Sequence, residues 1–405
     1  MSRANSVLQE SLRELYLDSF PECLKLADLG CSSGPNTLLL LREIIDSIDA
    51  TCKQLNKKEP MFQMFLNDLF HNDFNTVFRL IPRFYQELRR EKGGDFGPCF
   101  IAAMPGNFYG RLFPDHSLHF IHSSYSVHWR SQVPANLVSE FESSLNKGHI
   151  YLARASPKSV HEAYLDLFMR DMTLFLKSRS EELVPGGRMM FTMIGRDMSV
   201  NLPEDQVANL WELLGMTISD MVQEVLLFTI SACLLANAYL CACLLNALCE
   251  LFRIRLYLIA VAQMSLSVKQ LPCSNLSSPS SHQQFSGSCL KGLIEEEKLD
   301  DFNLPFYMPT PEEVRHVIQE EGSFHVTRFE TFKVNWDAEM GDGNLRVRGK
   351  YVAANIRAVS ESILATHFGE EVMDGLFERF ASKVSQYMEL HEGEHFNILV
   401  SVKNR

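Results

Sequence analysis

The chain is short of positive charge: 38 Lys and Arg face 50 Asp and Glu, for a formal net charge of −12. Phosphate recognition needs a basic face, so a nucleic-acid partner is excluded. No CxxC pair occurs among the 10 cysteines, which removes the usual zinc pattern. Cys23, Cys31, Cys52 and Cys99 are scattered, while the other six crowd between Cys233 and Cys289. That arrangement is unlike a disulfide framework, so a reduced, cytoplasmic protein is expected. No charged segment followed by an apolar one opens the chain, and no signal peptide is expected. The remaining composition is ordinary for a soluble enzyme, with 10% aromatic and 22% charged residues over 405 positions. This length holds one large α/β domain with a cap, or two domains.

Short apolar runs alternate with amphipathic stretches, the order that a parallel α/β sheet requires. The runs at 24–29, 62–66, 100–104, 118–122 and 189–194 predict strands. The stretches at 37–48, 74–88 and 159–182 predict helices, the last with Tyr164, Phe168, Met172 and Phe175 on one face. Two later runs, 326–334 and 396–402, are rich in β-branched and aromatic residues and predict strands at the edge of the same sheet.

One stretch does not fit this alternation. Residues 225–248 read VLLFTISACLLANAYLCACLLNAL with no charge, and a Ser-rich tract follows at 265–288. Glu250 is the one acidic residue between Val225 and Lys291. By length the apolar part reads as a transmembrane helix, or as a buried helix followed by a linker. Neither reading explains why the flanks join so well without it, as ISDMVQE-GLIEEEKLDDFNLPFYMPTPEEV. A Val codon begins GT and a Lys codon can end AG, the dinucleotides that bound most introns. Residues 225–291 therefore read as a translated intron, which divides the chain into 1–224, the insertion 225–291, and 292–405.

Several strings carry chemistry. At 26–36, LADLGCSSGPN ends an apolar run in Asp28 and turns through Gly30 and Gly34 into a helical pattern. Glycine lets the backbone turn sharply and approach a ligand closely, and the helix N-terminus behind it favours polar ligand groups. The turn has neither the GxGxxG of a dinucleotide site nor the GK[ST] of a P-loop. FLNDL at 65–69 ends the next strand in Asp68, a carboxylate placed to accept both hydroxyls of a ribose or to cap a helix. SSYSVHW at 123–129 sets His128 beside Trp129. They are either two N–H donors suited to a carboxylate, or a structural histidine with a core tryptophan. Asp300, Asp301, Phe302 and Asn303, with Asn146, offer oxygen ligands to a hard cation or form a solvated loop.

Taken together, DLGCSSGPNT at 28–37, MPGNFYGRLFP at 104–114, SSYSVHW at 123–129 and NSVLQ at 5–9 resemble the plant SABATH family of S-adenosylmethionine (SAM)-dependent methyltransferases. Members esterify small organic acids such as jasmonate and salicylate. The resemblance covers roughly residues 1–224 and 292–405. It implies an α/β fold with a Rossmann-like class I methyltransferase sheet of seven strands, the last antiparallel, and a helical cap over the acceptor pocket. It implies a SAM site of Ser6, Asp28, Cys31, Asn36, Asp68, Leu69, Asn107 and Phe108. It assigns the acceptor to Gln9, Tyr125, His128, Trp129, Ile356 and Trp211, the last on a helix at 209–222. It assigns magnesium to Asn146, Asp300, Phe302 and Asn303.

Three departures matter. Asn107 replaces the family's adenine-contacting serine. Met1-Ser2-Arg3-Ala4 stands where the family has a longer segment with a cofactor-gating tyrosine. His128 and Ile356 occupy the places of the methionine clamp of salicylate-type members. The expected reaction is transfer of a methyl group from SAM to the carboxylate of a small hydrophobic acid, jasmonate-like. The alternatives are a salicylate or benzoate acceptor, N-methylation of a xanthine, or an inactive misprocessed isoform. No catalytic residue is expected, because a carboxylate is already ionised at neutral pH and catalysis then rests on alignment and exclusion of water. The expected partner is the small acid, with a membrane only through the insertion; a homodimer is left open.

Overall fold

The computed structural model describes residues 2–93, 98–135, 137, 144–197, 209–224, 253–255, 294–338, 340 and 343–405. The insertion at 225–291 lies outside the described residues except for a helical stretch at 253–255.

Seven strands form the sheet: β1 (Cys23–Leu29), β2 (Met61–Asn67), β3 (Cys99–Ala103), β4 (Leu118–Ser124), β5 (Leu183–Ile194), β6 (Phe324–Asn335) and β7 (Glu394–Asn404). Their order is β3-β2-β1-β4-β5-β7-β6. The first five are parallel, and β7 runs antiparallel to both β5 and β6. Each predicted run falls on a strand, but one placement is corrected. β7 is not an edge strand; it sits between β5 and β6, and residues 397–402 are all buried. The apolar run at 398–400 suits a strand covered on both faces. β6 is the edge on this side, β3 being the other, and His325, Arg328, Glu330 and Lys333 blunt it.

Side chains of successive strand residues point to opposite faces, so two cores form. Leu24, Leu26, Phe62, Met64, Phe120 and Leu399 face α1 (Ser2–Ser19), α2 (Asn36–Leu55) and α3 (Phe74–Lys92). Ala27, Leu29, Ile121, Phe191, Ile398 and Val400 face the other side. There lie α4 (Lys158–Glu182), α5 (210–224), α6 (Glu296–Asp300), α7 (Pro311–Glu321), α8 (Leu345–Phe368) and α9 (Met373–Leu390). The expected stripe on α4 is fully buried. Asp220 and Glu224 tie α5 to α9 through Lys383 and Arg379, each at 2.7 Å. Among the described residues no helix is long and apolar enough to cross a membrane.

Candidate active site at the carboxyl ends of the strands

β1 leaves the sheet through Gly30 at φ +77° and Ser32 at φ +57°. The N–H groups of Gly30 and Cys31 both donate to the Asn67 carbonyl oxygen at 2.9 Å, so the turn is fastened to the end of β2. A Cβ at position 30 would meet Ser126 Oγ at 2.1 Å, and the left-handed φ disfavours any other residue. Ser126 and Ser123 donate from their hydroxyls to the carbonyl oxygens of Gly30 (3.2 Å) and Leu29 (2.9 Å), which joins the end of β4 to the same turn.

Asp68 follows β2. Its Oδ2 accepts from the Ser32 N–H at 2.7 Å and its Oδ1 from the Leu69 N–H at 2.8 Å. It does not cap α3; Asp73 does, accepting from the Thr76 N–H at 3.1 Å. The capping alternative is thereby closed, and Asp68 holds the glycine turn with lone pairs left over for a ligand. Asn67 donates to the carbonyl oxygens of Met104 (2.7 Å) and Gly106 (2.9 Å), bringing the 104–110 loop to the same place. Its own buried Oδ1 has no partner among the described residues. Asn107 is exposed in that loop, with Oδ1 accepting from the Tyr109 N–H at 3.0 Å, and Phe108 is half-buried against Tyr109 and Phe175.

Asp28 is buried and lies 2.8 Å from His122 Nδ1. Asn36 opens α2 with its side chain exposed; the free N–H groups of that first turn attract polar ligand groups. Cys31 is buried, and burial beside Asp28 and Asp68 pushes its thiol far up, so it is inert as a nucleophile. Leu69 is exposed at the rim. Ser6 and Gln9 are exposed on α1. Ser6 donates to its own Arg3 carbonyl oxygen at 2.8 Å, and Asn5 reaches Glu43 of α2 at 3.1 Å. An orphaned amide oxygen, an acidic residue at the end of β2 and a glycine turn suit the polar groups of a nucleoside.

The residues assigned to the acceptor begin after β4. Tyr125 adopts φ +54° and donates its N–H to the Thr192 carbonyl oxygen at 2.8 Å. This turns the chain so that His128 is buried. The Ile194 N–H donates to His128 Nδ1 at 3.1 Å, so the proton of the neutral ring resides on Nε2. Burial, then Arg130 and His395, hold its pKa down at about 3. Trp129 packs edge-on against Trp211 (5.6 Å) and Phe306 (5.1 Å), and Phe306 also meets the His128 ring at 4.8 Å. A single antiparallel bridge joins Trp129 to Phe306. Ile356 lies in the same hydrophobic core on α8. His128, Trp129 and Trp211 are thus brought together. Asn67, His122, Ser126 and Phe306 contact these candidate residues and were not singled out by spacing.

The residues assigned to magnesium do not offer the donor set of a hard cation here. Asn146 and Asn303 satisfy each other, and Asp300 is held by partners outside the set. Asn146 donates to Asn303 Oδ1 at 2.6 Å while its own Oδ1 accepts from Ser156 at 2.6 Å. Asp300 accepts from the Gly148 N–H at 2.9 Å and faces Lys147 at 3.9 Å. One carboxylate, already opposed by a lysine, does not fit a hard dication. Among the described residues no group of three His, Cys, Asp or Glu gathers.

Known proteins agree with this geometry. The SAM dependent carboxyl methyltransferase family matches residues 1–229 and 278–405. Monomethylxanthine methyltransferase 2 of Coffea arabica is 38% identical over 423 positions, covering 100% of this chain and 91% of that protein. The Theobroma cacao protein described as "Probable jasmonic acid carboxyl methyltransferase 1" is 37% identical, with 100% and 92% covered. The solved structure of loganic acid methyltransferase with SAH superposes with a TM-score of 0.69 at 27% identity, covering 99% of this chain and 92% of that one. The chain belongs to the SAM-dependent carboxyl methyltransferase family, the SABATH methyltransferases.

Proposed function

We propose that this enzyme methylates the carboxylate of a small hydrophobic acid of the jasmonate type. The observation that carries the reading is the state of His128. Its Nδ1 is occupied by the Ile194 N–H and its pKa is held near 3, so it is a hydrogen-bond donor and not a base. A carboxylate arrives ionised and needs no base, whereas an N–H acceptor must lose a proton. Bound SAM supplies an electrophilic methyl group. Asp68 and the glycine turn orient that ligand. The His128 Nε2–H and the Trp129 indole N–H hold the acceptor oxygen, while Phe306 and Trp211 exclude water and fix the line of attack.

N-methylation of a xanthine is the second reading, supported by the 38% identity to a monomethylxanthine methyltransferase. The test is a panel of jasmonate, benzoate, salicylate and xanthines assayed with labelled SAM, on the full chain and on the chain lacking 225–291. Ester formation from the apolar acid is expected. Turnover of xanthines alone would overturn the carboxylate reading. The family match leaves out residues 230–277, which supports reading the segment around them as foreign to the fold.

A further inference from the structure

The last turn of α4 carries two charges that solvent does not reach. Arg179 and Glu182 are each 0% exposed, and the Arg179 Nε lies 2.8 Å from Glu182 Oε2. Desolvation offsets the attraction within such a pair, so stability alone does not account for it. Both groups hold one loop. Arg179 Nη1 donates to the Phe108 carbonyl oxygen at 2.7 Å and Nη2 to that of Gly110 at 2.7 Å. Glu182 Oε1 accepts from the N–H groups of Leu112 (2.5 Å) and Phe113 (3.0 Å). Ser178, one turn earlier, donates to the Tyr109 carbonyl oxygen at 3.4 Å. Arg111, whose main chain takes no part, reaches Glu181 and Glu182 with its side chain.

We propose that Arg179 and Glu182 are positioning residues that preset the 107–113 loop, so that Asn107 and Phe108 meet the cofactor without an ordering step. The inference rests on reading Asn107 and Phe108 as cofactor contacts. A loop fixed beforehand binds more tightly than one that must be ordered on binding. The planar fork of arginine spans two carbonyl oxygens at once, which a lysine ammonium does not.

Two variants of the full chain test this. Arg179→Lys keeps the charge opposite Glu182 and loses the fork. Arg179→Met with Glu182→Gln removes both charges, so that neither is stranded, and keeps an acceptor for Leu112 and Phe113. Titration with SAH should show Kd raised about tenfold, with the KM for SAM rising alike and the KM for the acid within about twofold. Amide exchange at 107–113 should quicken while the melting transition stays cooperative. Wild-type SAH affinity in a folded variant, with Asp68→Ala impaired, would refute the clamp and leave the cofactor site standing. Wild-type affinity in Asp68→Ala as well would refute both. An equal rise in both KM values would make the pair a general core element and overturn the proposal.

Discussion

His128 carries a pH dependence of known sign. In the unfolded chain an imidazole titrates near 6.5, while burial holds this one at about 3. Above 6.5 both states are neutral. Between those values the unfolded chain takes up a proton that the native ring refuses, so stability falls on acidification by roughly 1.4 kcal/mol per pH unit. His395, held down at about 4, adds to the loss in the same direction. Urea unfolding at pH 7.5 and 5.5 should show it, and His128→Gln should recover part of the slope; an unchanged slope would mean the native ring takes up protons. Asp68 makes a second prediction. Hydrogen bonds to a charged acceptor are worth about 1.5–3 kcal/mol, so Asp68→Ala should weaken SAH binding at least about tenfold by calorimetry. Wild-type affinity would limit Asp68 to holding the turn. Such roles were only partly legible in the chain. Gly30 announces a turn, but its need for glycine comes from Ser126, 96 residues away. Asn67 lies within the FLNDL string, yet an amide that bonds carbonyls at 104 and 106 leaves no mark on spacing.

At the scale of elements, the boundary between β2 and α3 assigns two aspartates to separate tasks. Asp73 satisfies the N–H groups opening α3, while Asp68 satisfies the glycine turn. Asp73→Ala should lower the melting temperature by roughly 1–3 °C, as loss of an N-cap does, and leave SAH affinity unchanged. A loss of affinity matching that of Asp68→Ala would merge the two roles. Strands and helices were readable because the sheet alternates two cores along each strand and α4 buries every fourth residue or so. The position of β7 was not, because periodicity reports burial and carries no strand order. Its unbroken apolar run at 398–400 was the available sign that both faces are covered. The residues assigned to magnesium were ambiguous for a related reason. Residue types suited to a cation suit an amide cluster equally well, and only the partners distinguish them.

The whole molecule is anchored on both sides of the insertion, by the ion pair of Glu224 with Arg379 and by buried Ile294. Extra length between anchored ends costs little, since closure entropy grows logarithmically; a charge-free apolar run is the greater burden. Deleting 225–291 should therefore raise soluble yield and melting temperature and restore or raise methyl transfer. A deletion that unfolds the protein would make the segment part of the core. The interior place of β7 adds a constraint of timing. β5 ends at Ile194 and its partner starts at Glu394, so on the ribosome one edge of the sheet stays open while roughly 200 further residues are made. At about 5–20 residues per second that is on the order of 10–40 s. The apolar run is translated within that interval, beside a strand still lacking its neighbour. A product truncated before its last strand would keep β5 paired with β4 and leave its other side permanently open.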